Sequence, residues 1–384
     1  MISPELFHKA LTDAGISFFT GVPDSLLKEY CSYVDSAVEL DSHVISANEG
    51  SAVAIAAGFY LGTGQLPLVY MQNSGLGNAV NPLLSLVDPE VYSLPVVVLV
   101  GWRGAPGVSD EPQHVKQGRV TPAILNSMEI PWMAIGDTDE SARYAAAWAA
   151  ETALNIMGPV VLLANQGAFA KSELKRNTAS FDAASLSREL AIETITASLP
   201  KDSVVVSTTG MASRELYEIR TRTGADSSRD FLTVGSMGHA SQIALGVALS
   251  RPNLEVYCID GDGAALMHLG GMATIGSSGL RNLTHILLNN GVHDSVGAQP
   301  TVANNISLTE VSRACRYSMV SDPVGSAADL TKALIELTNH AGPKFLEVKI
   351  KPGSRGDLGR PKESPLVNKK LLMESIESAT HKRD

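Results

Sequence analysis

Long apolar runs, a cationic surplus and paired cysteines are what these 384 residues have little of. The best apolar run, Leu94 to Val100, suits a buried strand and falls well short of the roughly 18 residues of a membrane span, so no membrane partner is expected. A formal net charge of -10 repels nucleic-acid backbones and anionic bilayers alike, which removes nucleic acid as a general partner. The three cysteines, Cys31, Cys258 and Cys315, are odd in number and far apart, without a metal-ligand or redox spacing; buried free thiols are the expectation. Pro4, Glu5 and His8 interrupt the first residues, which lack the charged-then-apolar layout of a secretory leader, so a cytoplasmic location is expected. Familiar phosphate and nucleophile signatures are missing too. Gly62-Thr-Gly64 and Gly75-Leu-Gly77 each lack the third glycine of the dinucleotide fingerprint, and neither Gly-x-x-x-x-Gly-Lys-Ser/Thr nor Gly-x-Ser-x-Gly occurs. A nicotinamide oxidoreductase and a serine hydrolase are thereby disfavoured.

What is present is apolar material for two ordinary cores, at 44% hydrophobic residues. Short β-branched runs at His43–Ala47, Pro67–Met71, Pro95–Val100 and Pro159–Leu163 alternate with Ala-rich stretches of helical period. A second series begins near Leu190, with runs at Val204–Val206, Val256–Ile259, Thr284–Leu288 and Phe345–Ile350. This alternation predicts an α/β chain of two units, each a parallel sheet flanked by helices, with no middle domain. The polar stretch after Phe169 sets the boundaries: a first domain over 1–170, a linker over 171–185 and a second domain over 186–384. The last of these carries a tail with Pro352, Gly353, Gly356 and Gly359, then an amphipathic helix around Asn368–Ala379.

The chemistry concentrates where Val256–Ile259 runs into Asp260-Gly261-Asp262-Gly263-Ala264 and Thr284–Leu288 runs into Asn289-Asn290-Gly291. Small residues let backbone N–H groups at Gly261 and Gly263 approach a phosphate closely. A carboxylate in that turn would repel the phosphate unless Asp262 binds a divalent cation that also ligates it, with Asn290 adding a neutral oxygen. The 25 residues between Gly263 and Asn289 suffice for one crossover helix and the next strand, so both turns meet at the carboxyl edge of one sheet. Taken singly, Asp262 could equally cap a helix and the asparagines could form a turn.

Gly-Asp-Gly, an interval of this length and Asn-Asn together resemble the diphosphate and Mg²⁺ signature of thiamine-diphosphate enzymes. The resemblance implies Mg²⁺ held by Asp262, Asn290 and the Val292 carbonyl, and thiamine diphosphate contacted by Gly261, Asp262, Gly263, Ala264 and Asn290. Glu49, at a strand end before an Ala/Gly-rich helix, resembles the glutamate that protonates the aminopyrimidine ring; alone it could serve only the helix dipole. Gly235-Ser-Met237-Gly resembles the loop whose apolar residue supports the bent cofactor, although a core methionine has the same appearance. Asn73 opens a segment, to Asn78, similar to the loop that meets the diphosphate domain. The histidine that some relatives place shortly before it is absent, Met71 standing there.

The missing middle domain narrows the resemblance to the phosphonopyruvate decarboxylases, with sulfopyruvate decarboxylases close behind. It runs through Gly21-Val-Pro-Asp24-Ser25, Asp110–Gly118, Asn289–Gly297 and Asp357–Pro361. It implies non-oxidative loss of CO₂ from a small 2-oxo acid, in a homodimer or higher homo-oligomer whose subunits share active sites. Asp24, Ser25, His114, His293 and Asp294 are the further catalytic candidates, His293 and Asp294 being expected near the reacting carbon. A loop bearing Arg103, Lys116 and Arg119 is expected to bind the remote anion of the substrate, although each could be solvated surface. A carboligase would use the same cofactor residues.

Overall fold

The computed structural model describes residues 1–39, 41–171 and 186–380, arranged in two compact units. The first holds the described residues through 171 together with Ser295–Pro300, and the second holds 186 to Asp294 and Thr301 onward. The expected linker, 171–185, lies outside the described residues except for Lys171.

In the first unit, helix α1 (Pro4–Asp13) precedes β1 (Ile16–Gly21), α2 (Lys28–Ala37), β2 (His43–Ile45), α3 (Glu49–Thr63), β3 (Leu66–Gln72) and α4 (Leu76–Ser85). Then follow β4 (Val96–Gly101), α5 (Pro112–Ser127), β5 (Trp132–Ala134), α6 (Asp139–Ile156) and β6 (Pro159–Ala164). The second unit runs α7 (Arg188–Ser198), β7 (Val204–Ser207), α8 (Met211–Thr223), β8 (Asp230–Leu232), α9 (Ala240–Ser250), β9 (Val256–Gly261), α10 (Asp262–Met267), α11 (Gly270–Ser277) and β10 (Leu283–Asn289). Two-residue strands β11 (Val292–His293) and β12 (Gln299–Pro300) come next, β12 falling in the first unit. The second unit then closes with α12 (Leu308–Ala314), β13 (Met319–Val320), α13 (Ala327–Thr338), β14 (Lys344–Lys349) and α14 (Pro365–Thr380).

Each unit has one six-stranded sheet among the described residues, ordered β2-β1-β3-β4-β6-β5 and β13-β14-β10-β9-β7-β8. With strands counted within each unit and β11 and β12 set aside, both orders read 2-1-3-4-6-5. The sheets are parallel, so each strand must be buried on both faces. In the first unit Val97 and Leu99 pack with Phe7, Leu11 and Ala146 on one face. Val96, Val98 and Val100 pack with Val53, Leu83 and Leu125 on the other. In the second unit Val205, Ile259, Ile286 and Leu346 form a core with Ile192, Leu216 and Leu334.

Local chemistry sets the helix ends. Asn48 caps α3 by accepting from Gly50 N at 2.8 Å, and Gly64 ends it in the left-handed conformation. Three expectations are corrected. The crossover after Gly263 is two short helices, α10 and α11, because His268 leaves the helical conformation (φ −131°, ψ 51°). His114, Lys116 and Arg119 stand on helix α5, not in a loop, since Pro112 is preorganised for a first helical turn. Cys31 and Cys258 are buried free thiols, but Cys315, just past α12, is partly exposed.

Candidate active site

In a parallel α/β sheet the ligand edge is the carboxyl end of the strands, and in both units the candidate residues collect there. In the first unit Glu49 begins α3 after β2 and is only 5% exposed. Its Oε2 accepts a hydrogen bond from Asn78 Nδ2 at 2.7 Å. Gly75, just after β3, backs onto it: a Cβ there would lie 2.4 Å from Glu49 Oε1. The acid is thus shielded from water, walled by a residue without a side chain and tied through one oxygen.

Beyond β1, Asp24 is fully buried and accepts from Gln72 Nε2 at 2.6 Å and Leu26 N at 3.0 Å. Burial raises its pKa against the opposing effect of those bonds. Ser25 Oγ accepts from Arg103 Nη1 at 2.8 Å, while Arg103 Nε and Nη2 grip the Asp110 carboxylate as a fork. Arg103 holds the Asp110 acid well below the usual carboxylate range. Asn73 fastens the same segment, donating to the Arg103 carbonyl at 2.9 Å and to Thr121 Oγ1 at 3.0 Å. Arg103 is therefore a charge already matched, and Asn73 an amide already spoken for. His114 is buried on α5, its pKa lowered by burial and then by Arg103, and its Nδ1 has no hydrogen-bond partner. Lys116 and Arg119 expose their side chains one turn apart on the same helix.

In the second unit Asp262 is the first residue of α10 and is 3% exposed. Its Oδ2 accepts from Thr301 Oγ1 at 2.5 Å, and burial pushes its pKa up to about 6. No ion pair to it occurs among the described residues. Asn290, between β10 and β11, turns Oδ1 to Val292 N at 3.1 Å and Nδ2 to Asp294 Oδ2 at 2.8 Å. Val292 and Ala264 are buried beside them. Gly263 is where two further candidates converge, since a Cβ there would sit 2.7 Å from His293 Cε1 and 3.5 Å from Met237 Cε. The Met237 loop is held open by positive φ at Gly235, Ser236 and Gly238, and Gly235 N donates to Thr209 Oγ1 at 3.0 Å. Gly261 closes β9 with a Cβ position almost free of neighbours.

Asp294, expected near the reacting carbon, is engaged by several partners within its own unit. It accepts from Arg188 Nη1 at 2.8 Å and from Gly353 N at 3.1 Å as well as from Asn290. Sequence reasoning passed over Arg188 and Thr301, and named Asn78 only as the end of a segment, without a role. Only Arg188 carried a signal: a cation in the first turn of a helix opposes the macrodipole and calls for buried acids nearby.

Comparison with known proteins follows the same division. Residues 4–125 match the thiamine pyrophosphate enzyme N-terminal TPP binding domain, and 208–348 match the C-terminal TPP binding domain. The chain is 39% identical over 368 residues to a phosphonopyruvate decarboxylase of Streptomyces viridochromogenes, spanning 92% of this chain and 90% of that one. It is 39% identical over 379 residues to the phosphonopyruvate decarboxylase of Streptomyces hygroscopicus, with 95% and 92% covered. A sulfopyruvate decarboxylase of Methanosarcina acetivorans is 31% identical over 325 residues, with 80% and 81% covered.

Proposed function

We propose that this chain, which belongs to the thiamine pyrophosphate enzyme family, decarboxylates 3-phosphonopyruvate to phosphonoacetaldehyde and CO₂ with thiamine diphosphate and Mg²⁺. The observation that carries the substrate is the 39% identity to two phosphonopyruvate decarboxylases along nine-tenths of both lengths. Sulfopyruvate is the second reading, on the lower identity of 31%.

The residues fit both groups. Asp262 is a buried carboxylate without a cationic partner among the described residues, and the Asn290 amide and Val292 carbonyl add hard oxygens of the kind Mg²⁺ takes. Glu49 is a shielded acid at the strand edge of the N-terminal cofactor domain. Thiamine diphosphate, when bound, supplies the nucleophilic thiazolium carbon and the electron sink for the departing carboxylate.

The chain's own residues do the remainder. Glu49 holds the proton at the pyrimidine nitrogen, and Asn78 keeps its carboxyl oriented. Met237 would pack against thiamine diphosphate, and backbone N–H groups from Gly261 to Ala264 would hold its diphosphate. Asp24 stays protonated more readily than a surface acid because it is buried, which suits a hydrogen-bond donor toward substrate. Ser25 and Asn73 shape the same edge through Arg103. His114 is neutral at pH 7, and its unpartnered Nδ1 is free to move or hold a proton. His293, packed at Gly263, lies beside the metal donors. Lys116 and Arg119 supply charge for the phosphonate, at about 1.5–3 kcal/mol per charge-assisted bond.

We place the pyrimidine-binding domain at 1–170 and the diphosphate-binding domain at 186–384, in a cytoplasmic homo-oligomer that shares its sites. No helix among the described residues is long and apolar enough to cross a membrane. A panel of 2-oxo acids assayed for CO₂ release, with and without thiamine diphosphate and Mg²⁺, tests the proposal. Phosphonopyruvate should be the best substrate, with sulfopyruvate nearer to it than pyruvate. A preference for pyruvate or a branched 2-oxo acid would remove the phosphonate assignment and leave the cofactor assignment standing.

A further inference from the structure

Asn290 can bind a cation only through Oδ1, yet an amide is nearly symmetric and presents its oxygen or its nitrogen with equal ease. Two neighbours break that symmetry. The Val292 N–H donates to Oδ1 at 3.1 Å, and the Asp294 carboxylate, which can only accept, takes Nδ2 at 2.8 Å. Asp294 is itself immobilised. Its Oδ2 receives Arg188 Nη1 at 2.8 Å, and Gly353 N reaches both of its oxygens at 3.1 Å. Arg188 is 7% exposed and is fixed by Glu215, which accepts Nε at 2.9 Å and Nη2 at 3.2 Å. Glu215 is 2% exposed, so the guanidinium has no room to swing away.

We infer that Asp294, anchored by Arg188, is a positioning residue that sets the Asn290 amide with its oxygen toward the metal. The inference rests on the Mg²⁺ reading of Asp262 and Asn290 above. It assigns the ion pair a role in metal affinity, where a purely architectural pair would act on stability alone. Outer partners of this kind alter metal affinity by about 10–100-fold when lost.

The test is the Mg²⁺ dissociation constant at saturating thiamine diphosphate, followed by tryptophan fluorescence or calorimetry, beside the melting temperature of the metal-free protein. Asp294→Asn, nearly isosteric, should weaken Mg²⁺ about 10-fold or more. Asp230→Asn is the control, because Asp230 pairs with Arg220 at 2.8 Å elsewhere in the same unit; it should lower the melting temperature and leave Mg²⁺ affinity within twofold. A second variant separates positioning from charge. Arg188→Gln with Glu215→Gln removes one charge of each sign and leaves Asp294 ionised but without its arginine anchor, held only by Gly353 N and Asn290. Charge alone predicts unchanged or tighter Mg²⁺, whereas positioning predicts weaker. Mg²⁺ affinity of Asp294→Asn within twofold of wild type, or unchanged or tighter binding by the double variant, overturns the inference. A wild type with no Mg²⁺-dependent cofactor binding overturns the cofactor reading, and this inference falls with it.

Discussion

Replacing Gly75 by alanine puts a methyl group where the Glu49 side chain already stands. The new Cβ would lie 2.4 Å from Oε1, 2.6 Å from Cγ and 2.7 Å from Cδ. Comfortable carbon contacts are about 3.5–4.0 Å, so the glutamate must retreat by roughly 1 Å. It cannot do so freely, being 5% exposed and tied to Asn78 at 2.7 Å. Overpacking of this kind costs about 1–3 kcal/mol, and a misplacement near 1 Å costs on the order of 100-fold in rate. Gly77 provides the internal comparison, since it is exposed in α4 and a Cβ there meets nothing within 4 Å. Gly77→Ala should gain up to about 1 kcal/mol of helix propensity and keep wild-type activity. The two variants should therefore differ by about 1–4 kcal/mol in stability and by about two orders of magnitude in decarboxylation rate. Thermal melts and CO₂ release at saturating cofactor measure both. Equal melting temperatures and equal rates would refute the claim that Gly75 exists to make room for the acid.

Further expectations concern the acid, the metal donor and pH. Glu49→Gln should bind thiamine diphosphate normally yet exchange its C2 proton at least about 100-fold more slowly by NMR, within the range of acid–base contributions; normal exchange would discharge Glu49 from its role. Asp262→Ala should lose Mg²⁺-dependent cofactor binding in a calorimetric titration, and unaltered binding would exclude it as a ligand. Co-expressing Glu49→Gln with Asp262→Ala should restore activity if subunits share sites, whereas inactive mixed oligomers would show that each chain builds its own. His114 has a folded pKa below its ordinary 6.5, so below pH 6.5 the unfolded chain binds the extra proton. Its contribution to stability is full above pH 6.5 and is lost as pH falls. His114→Gln should flatten the fall of melting temperature below pH 6.5, in part only because His8 and His268 shift the same way.

The long strands were legible because burial on both faces demands continuous apolar runs, as in Val96–Val100. The short edge strands β5, β8 and β13 are two or three residues long and leave no such run. The positions of the turns bearing Asp262 and Asn290 were legible because each lies at the end of a recognisable strand. What could not be read was pairing across the chain. Arg188 meets Asp294 from 106 residues away, and Thr301 meets Asp262 from 39. Arg103 was read as a cation for the substrate's anion, since nothing in a linear string shows that Asp110 folds back onto two of its three guanidinium nitrogens.

The same strand order, 2-1-3-4-6-5, is used twice. After the second strand the first copy carries Glu49, while the second copy carries the uncharged Gly235–Met237 loop. After the third strand the first copy carries Asn73, and the second carries Asp262. After the fourth, the first copy carries the self-matched Arg103–Asp110 pair, and the second carries the Asn290 amide. Each copy is charged where its counterpart is neutral or compensated. Under the proposed assignment, with Glu49 as the acid of one unit and Asp262 and Asn290 as the metal donors of the other, the labour is divided and neither unit carries both sets.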